Sequence, residues 1–289
     1  MIARKTVVSE CKNVVEVLEK SGLNFIPEKH GLFADNGVSI PEHIGIIRND
    51  NSHVLGVMGK DYAVIPPHES FAIADILCER FGLKFWNAYG IDGGKKIRIT
   101  LRGKDFFADK LQKDQIIEEH SITDAYDGSE KFTYGKGLWR VVCGNGMTVK
   151  LEGTKTSIRH TKNADERIHE AMRIWADTQN VFGEIQRRIQ SLAQKIVDHV
   201  MVEKFLDGLI GKTDGKVSTR KKNQREDVLH LFERGRGNVG TTAWDLVNAA
   251  SEYYDHHVNR ENPDAALASQ LFGNGADQKE RAFSIAETL

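Results

Sequence analysis

The sequence is short of most things that hold a chain together without a large core. It has 3 cysteines and 5 prolines in 289 residues. Cys11, Cys78 and Cys143 lie far apart and in odd number, which excludes a disulfide framework and a paired CxxC zinc site. They read as reduced thiols. No apolar run exceeds four residues, against the ~20 needed to cross a bilayer, so no membrane is expected among the partners. The N-terminus, MIARKTVVSECK, lacks an apolar h-region and a small-residue cleavage site, and a cytoplasmic location is expected. An excess of either charge is missing too. With 40 Lys+Arg against 41 Asp+Glu, the chain is not the uniformly basic kind that sticks to any polyanion.

What is present is an ordinary globular composition, 40% hydrophobic and 28% charged, long enough for about two domains with cores of their own. The near-neutral charge hides two basic stretches. Lys131 to Lys162 carries seven Lys/Arg and one acid, Glu152. Lys212 to Arg225 carries six against Asp214. Two such concentrations could hold a polyanion locally.

The first half alternates strand-like runs with turn signals. Val14, Val17 and Leu18 predict a short helix ended by Gly22. IGIIRND and SHVLGVMG, joined by Asn-Asp-Asn-Ser, read as one hairpin; LKFWNAY and KKIRITL, joined around Asp92-Gly93-Gly94, read as another. Pro66-Pro67 opens a helix over His68 to Phe81. IIEEHSITDAY and KFTYGKGLWRVV follow, the latter continuing as strand or turning helical over Leu138 to Cys143. This order predicts an α+β fold with an antiparallel sheet crossed by helices over residues 1–160.

A mainly helical region is expected over 161–289. Apolar residues at Ile168, Met172, Trp175, Phe182, Ile185, Ile189, Leu192 and Ile196 repeat about every 3.5 residues. A continuous helix from Ala164 to Val200 would reach about 55 Å. That length points to an oligomer interface through Trp175, Phe182, Ile185 and Ile189, with packing inside one subunit as the other reading. The segment near 211–225, GKTDGKVSTRKKNQRED, reads as an exposed basic loop.

AYDGSEKFTYGKGLWRVVCGNGM, with IRHT after it, resembles a family widespread in phages, prophages and plasmids, catalogued as domain of unknown function 932. GTTAWDLVNAASEYYDHH and FGNGADQKERAFSIA in the tail resemble its phage/plasmid-like branch. The resemblance implies a mobile-element origin and carries over no catalytic or binding residue.

Three function classes follow from the residues. The leading one is a non-enzymatic, oligomeric nucleic-acid-binding protein that holds or anneals single strands in recombination, similar in outline to the strand-annealing proteins of phages. Its contacts would be Lys131, Lys136, Trp139, Arg140, Lys150, Lys155, Arg159 and Lys162, with Arg220, Lys221 and Lys222 adding affinity, because interleaved aromatics and cations stack bases while tracking phosphates. Trp139 either stacks or belongs to the core. The second is an inhibitor that binds a host defence or replication protein. The third is a thiol hydrolase built on Cys143, His160 and Asp124 or Asp127. No cofactor or metal is expected: His256 and His257 are adjacent, so on a helix they diverge by about 100° and read with Asp255 as a solvated helix end.

Overall fold

The computed structural model describes residues 3–108, 113–142, 144–148, 155–159, 166, 181–212, 218–258 and 261–289. Its contacts divide the chain into two compact units, each built from several stretches of the sequence. The first comprises Met1–Gly103, Glu119–Lys136 and Gly153–Gln179; the second comprises Lys104–Glu118, Gly137–Glu152 and Asn180–Leu289. The architecture is α+β, with antiparallel sheets and a helical C-terminal half.

The large sheet runs in the order β1 (Ala3–Val7), β5 (Lys84–Ile91), β6 (Lys96–Phe107), β7 (Gln115–Ala125), β8 (Phe132–Arg140), β10 (Lys155–Ile158), with β9 (Asn145–Thr148) also paired to β8. A small sheet joins β2 (Pro27–Phe33), β3 (Ser39–Arg48) and β4 (Val54–Gly59). Both expected hairpins are present. At the second, Asp92, Gly93 and Gly94 all take positive φ, 45°, 69° and 98°, a backbone that two glycines make inexpensive.

Helix α1 (Val14–Ser21) is capped by Asn13, whose side chain accepts from the Glu16 amide, and ends at Gly22 with φ 70°. The helix expected over His68 to Phe81 is split into α2 (Pro67–Ser70) and α3 (Ile73–Phe81). Val14, Val17 and Leu18 of α1 pack with Ile73 and Leu77 of α3, Ile97, Ile99 and Leu101 of β6, and Phe132 and Tyr134 of β8 in the first unit's core. Arg48, only 6% exposed, ties the hairpins to α1: it pairs with Asp50 at 2.6 Å and donates to the carbonyls of Gly93 at 2.6 Å and Gly22 at 3.1 Å.

The second unit's helices are α4 (Val181–Gln194), α5 (His199–Ile210), α6 (Thr219–Arg234), α7 (Ala243–Glu252), a π-helical turn (Tyr253–His257), α8 (Pro263–Phe272) and α9 (Asn274–Thr288). Two expectations are corrected. The heptad-like helix stops at Gln194, leaving Ile196 69% exposed in a bridge to Thr242. Ile185 and Ile189 are spent inside the chain, 2% and 0% exposed in the second core with Phe205 and Leu246, so they offer no interface to a partner; Phe182 is half-buried against the same core. Trp175 lies outside the described residues.

The stretch read as a basic loop is helical from Thr219. Ser218 caps it by accepting from the Lys221 amide, the straight-chain Arg, Lys, Gln and Glu side chains favour helix, and Val228, Leu231 and Phe232 fix one face in the core. Arg225 from that stretch is buried, held by Glu203 at 2.6 Å and Asp207 at 2.7 Å.

Candidate functional site

The basic-aromatic segment folds as a β-ladder. Phe132 pairs with Ile158 and Gly135 with Lys155, so Lys131 and Arg159, both exposed, flank one end of the β8–β10 pair. Lys136 and the backbone of Lys155 lie toward the other end. Trp139 is half-buried on β8, the strand having won over the helix at Leu138. Arg220, Lys221 and Lys222 are exposed on the first turn of α6. Lys150 and Lys162 lie outside the described residues, as do Cys143 and His160 of the hydrolase reading. Of that reading's acids, Asp124 is fully buried, accepting from the Ala125 amide at 2.9 Å, and Asp127 holds the amide of Ser129 at 3.0 Å.

Arg140 is a correction. Its guanidinium is 1% exposed and pairs with Asp114, Nε to Oδ1, at 2.7 Å. Nη1 donates to the Arg236 carbonyl at 3.0 Å and to Asn238 Oδ1 at 3.3 Å, and Nη2 donates to the Gly237 carbonyl at 3.2 Å. Trp244 Nε1 donates to the other oxygen of Asp114 at 2.7 Å. A guanidinium enclosed by this many acceptors is a tie within the second unit and reaches no phosphate. Gly237, at φ 73°, leaves no room for a Cβ, which would stand 2.7 Å from Val142 and 3.0 Å from Arg140 Nη2.

The tail motif GTTAWDLVNAASEYYDHH builds the same region. Thr242 and Asp245 form a capping box at the start of α7, and Asp245 also receives the Thr241 amide at 3.1 Å. Glu252 accepts from the Arg236 amide at 3.0 Å. Asn248 is wholly buried, and among the described residues neither amide atom has a hydrogen-bond partner. Asp255 is not solvated as expected: it is buried and ion-paired to Lys279 at 2.7 Å. His256 is exposed, while His257 stacks on Tyr253. Among the described residues, no three His, Cys, Asp or Glu side chains gather as a metal-ligand set, and no helix is long and apolar enough to cross a membrane.

The arrangement with most chemical content is one the charge runs do not reveal. Ile97, Ile99 and Leu101 of β6 enter the core with α1 and α3, so the alternation of a strand sends Lys96, Arg98, Thr100 and Arg102 to the opposite face. Across the hairpin, Arg98 faces Tyr89 and Thr100 faces Asn87, while Trp86 occupies a bulge between Phe85 and Asn87. On the far side of β5, Lys5 of β1 is opposite Tyr89.

The Arg102 guanidinium lies 3.9 Å above the Trp86 ring, and its Nε is 3.5 Å from Glu119. The Lys5 ammonium is 5.9 Å from the Tyr89 ring. Lys5 is exposed, Trp86, Lys96, Arg98 and Arg102 are half-buried, and Asn87, Tyr89 and Thr100 are buried. Burial draws Arg98 and Arg102 below the usual arginine range, opposed by Glu119 and Tyr89. Both keep their charge at neutral pH. Burial, then the Glu119 charge, pushes the Tyr89 phenol up to about 12. Glu119 and Glu130 lie close enough to act on Arg98. The legible signal was the alternation K-I-R-I-T-L-R over residues 96–102.

A family model described as domain of unknown function (DUF932) matches residues 54–274, well over half of the chain. No curated protein and no solved structure matches it.

Proposed function

The chain belongs to the domain of unknown function 932 family, and for this member we propose a nucleic-acid-binding function in which single strands are held on the Lys5, Trp86, Arg98 and Arg102 face of the large sheet. The observation that carries the reading is the Arg102–Trp86 stack beside Arg98 on one sheet face, with Lys5 across β5 from Arg98. Half-buried guanidiniums are weakly hydrated, and a low dielectric strengthens their pull on phosphate. An aromatic ring on a sheet gives an unstacked base a surface to lie on, which single strands offer and duplexes do not. The exposed Lys131 and Arg159 at the end of β8–β10 extend a backbone track within the same unit. Strand annealing during recombination on a phage or plasmid is the setting this function suits.

Fluorescence anisotropy with single- and double-stranded DNA and RNA over a salt series tests it. Lys5→Gln with Lys96→Gln should lower the slope of log K against log salt by about 1.4, at roughly 0.7 per phosphate contact on a single strand. Trp86→Leu should weaken single-strand binding by about 1–3 kcal/mol if a base stacks there. Absence of single-strand binding at low salt, or equal binding by all three proteins, refutes the proposal.

A further inference from the structure

Glu119 of β7 acts on several groups of the sheet face at once. Burial is the largest influence on Arg98, Arg102 and Tyr89, drawing the two arginines down and the phenol up, and the Glu119 charge comes second at all three. One carboxylate thus serves both guanidiniums and borders the ring beside them.

The pair it makes with Arg102 is a poor one. Arg48–Asp50, Arg140–Asp114 and Arg225–Glu203 close to 2.6, 2.7 and 2.6 Å, near enough for charge-assisted hydrogen bonds. Arg102 Nε stands 3.5 Å from Glu119 Oε2. Slack is ordinary at an exposed rim, but these two side chains are only 10% and 12% exposed, and an enclosed ion pair offsets its desolvation only when the geometry is close. The same guanidinium is well seated on the Trp86 ring, 3.9 Å from its centre. That ring is itself fixed: Asn87, 1% exposed, accepts from the Trp86 indole Nε1 at 3.2 Å and donates to the Trp86 carbonyl at 3.2 Å in the orientation that satisfies its amide. The ring holds Arg102, and the carboxylate is a loose neighbour.

We infer that Glu119 is an internal competitor for a phosphate seat: its carboxylate occupies the place beside Arg98 and Arg102 that a phosphodiester of a bound single strand takes, and it swings away when the strand binds. The inference rests on the reading of this face as a nucleic-acid surface. A phosphodiester sets its charged oxygens wider apart than a carboxylate does, which suits an anion shared by two guanidiniums. Because the pair is enclosed, the phosphate replaces the carboxylate rather than sitting beside it; two anions a few ångströms apart repel strongly at low dielectric. The competitor also selects. Lone inorganic phosphate must displace Glu119 on charge alone, whereas a strand adds a base stacked on Trp86.

Anisotropy titration of a fluorescent oligothymidylate with the full chain tests the inference. Glu119→Gln should tighten binding about tenfold and steepen log K against log salt by about 0.7, one phosphate contact, since no displaced carboxylate then takes up a cation. Glu118→Gln removes the same charge one residue away, where the side chain accepts from the Lys104 amide, and should change both far less. Glu119→Asp keeps the charge but withdraws it by one methylene, and should tighten binding severalfold. At equal ionic strength, inorganic phosphate should displace the strand from Glu119→Gln at lower concentration than from the unmutated protein. If the unmutated protein binds the strand and both Glu119 variants, folded by circular dichroism, bind it no tighter, the inference is overturned while the nucleic-acid reading stands. Variants that do not fold overturn it equally, since a carboxylate on which the fold depends is not one that swings away. If neither the unmutated protein nor the variants bind at low salt, the reading itself fails and takes the inference with it.

Discussion

Replacing Arg140 by Met separates a structural guanidinium from a nucleic-acid contact. Methionine fills much of the same volume and removes the charge, so Asp114, with its side chain 10% exposed, keeps only Trp244 Nε1 among the two donors described above. The carbonyls of Arg236 and Gly237 lose their donor at the same time. Breaking a buried ion pair from one side costs about 3–5 kcal/mol, because the remaining charge stays buried without its opposite charge. For a protein of this size that corresponds to a fall in midpoint temperature of roughly 10 °C. Urea unfolding followed by circular dichroism measures it, with Asp114→Asn and the double variant completing a cycle. Asparagine keeps an acceptor for Trp244, and the double variant should cost about 2 kcal/mol less than the sum of the single changes. Single-strand binding by the folded fraction should be unchanged. An unaltered urea midpoint together with weakened binding would refute the reasoning and return Arg140 to the surface.

Other perturbations have equally definite outcomes. Trp244→Phe removes the indole donor to Asp114 and should cost about 1.5–3 kcal/mol, read from the same urea curves. Asn248→Leu replaces a buried amide without partners by an apolar group of similar size and should stabilise by about 1–3 kcal/mol; a lower midpoint contradicts that account of the site. Asp75 has its pKa raised by burial, against the Val14 amide bond that lowers it. Its neutral form is the one the fold prefers, so its contribution falls as pH rises from the unfolded value near ~3.9 through the folded one. Asp75→Asn should therefore be the more stable protein at neutral pH, with the gap closing as pH falls toward 4; a gap that widens instead excludes this sign. Burial pushes the Cys78 thiol up to about 11, so alkylation at pH 8, followed by peptide mapping, should be about a hundredfold slower than for a free thiol.

Local signals carried the hairpins. Asn-Asp-Asn-Ser and Asp-Gly-Gly announce their turns, and Asn13 with Gly22 brackets α1 from both ends. Long-range partnerships left no such trace. Arg140 reads as a surface cation until Asp114, 26 residues earlier, and the carbonyls near 236–237, almost a hundred residues later, are brought to it. Charge counted along the chain singled out Lys212 to Arg225, yet in α6 that charge shares a helix with core residues and Arg225 turns inward. The cations of the sheet face come instead from β1 and β6, each modest in its own segment, and become neighbours only through strand pairing. The 3.5-residue stripe was correctly apolar, but its spacing fits an intrachain core as well as a seam between subunits, and Ile185 and Ile189 went to the core.

The tie around Asp114 also constrains how the chain matures during synthesis. Its indole donor lies 130 residues downstream, so at roughly 5–20 residues per second Asp114 leaves the ribosome on the order of ten seconds before Trp244 is made. Through that interval β8 ends in a guanidinium whose acceptors at 236–238 do not yet exist. The helices that close the second unit are also the last to appear. A nascent chain interrupted before the GRGN turn would hold two ionised groups meant for burial without the donors and acceptors that the last helices bring, and such a fragment should be a substrate for chaperones and proteases rather than a smaller working protein.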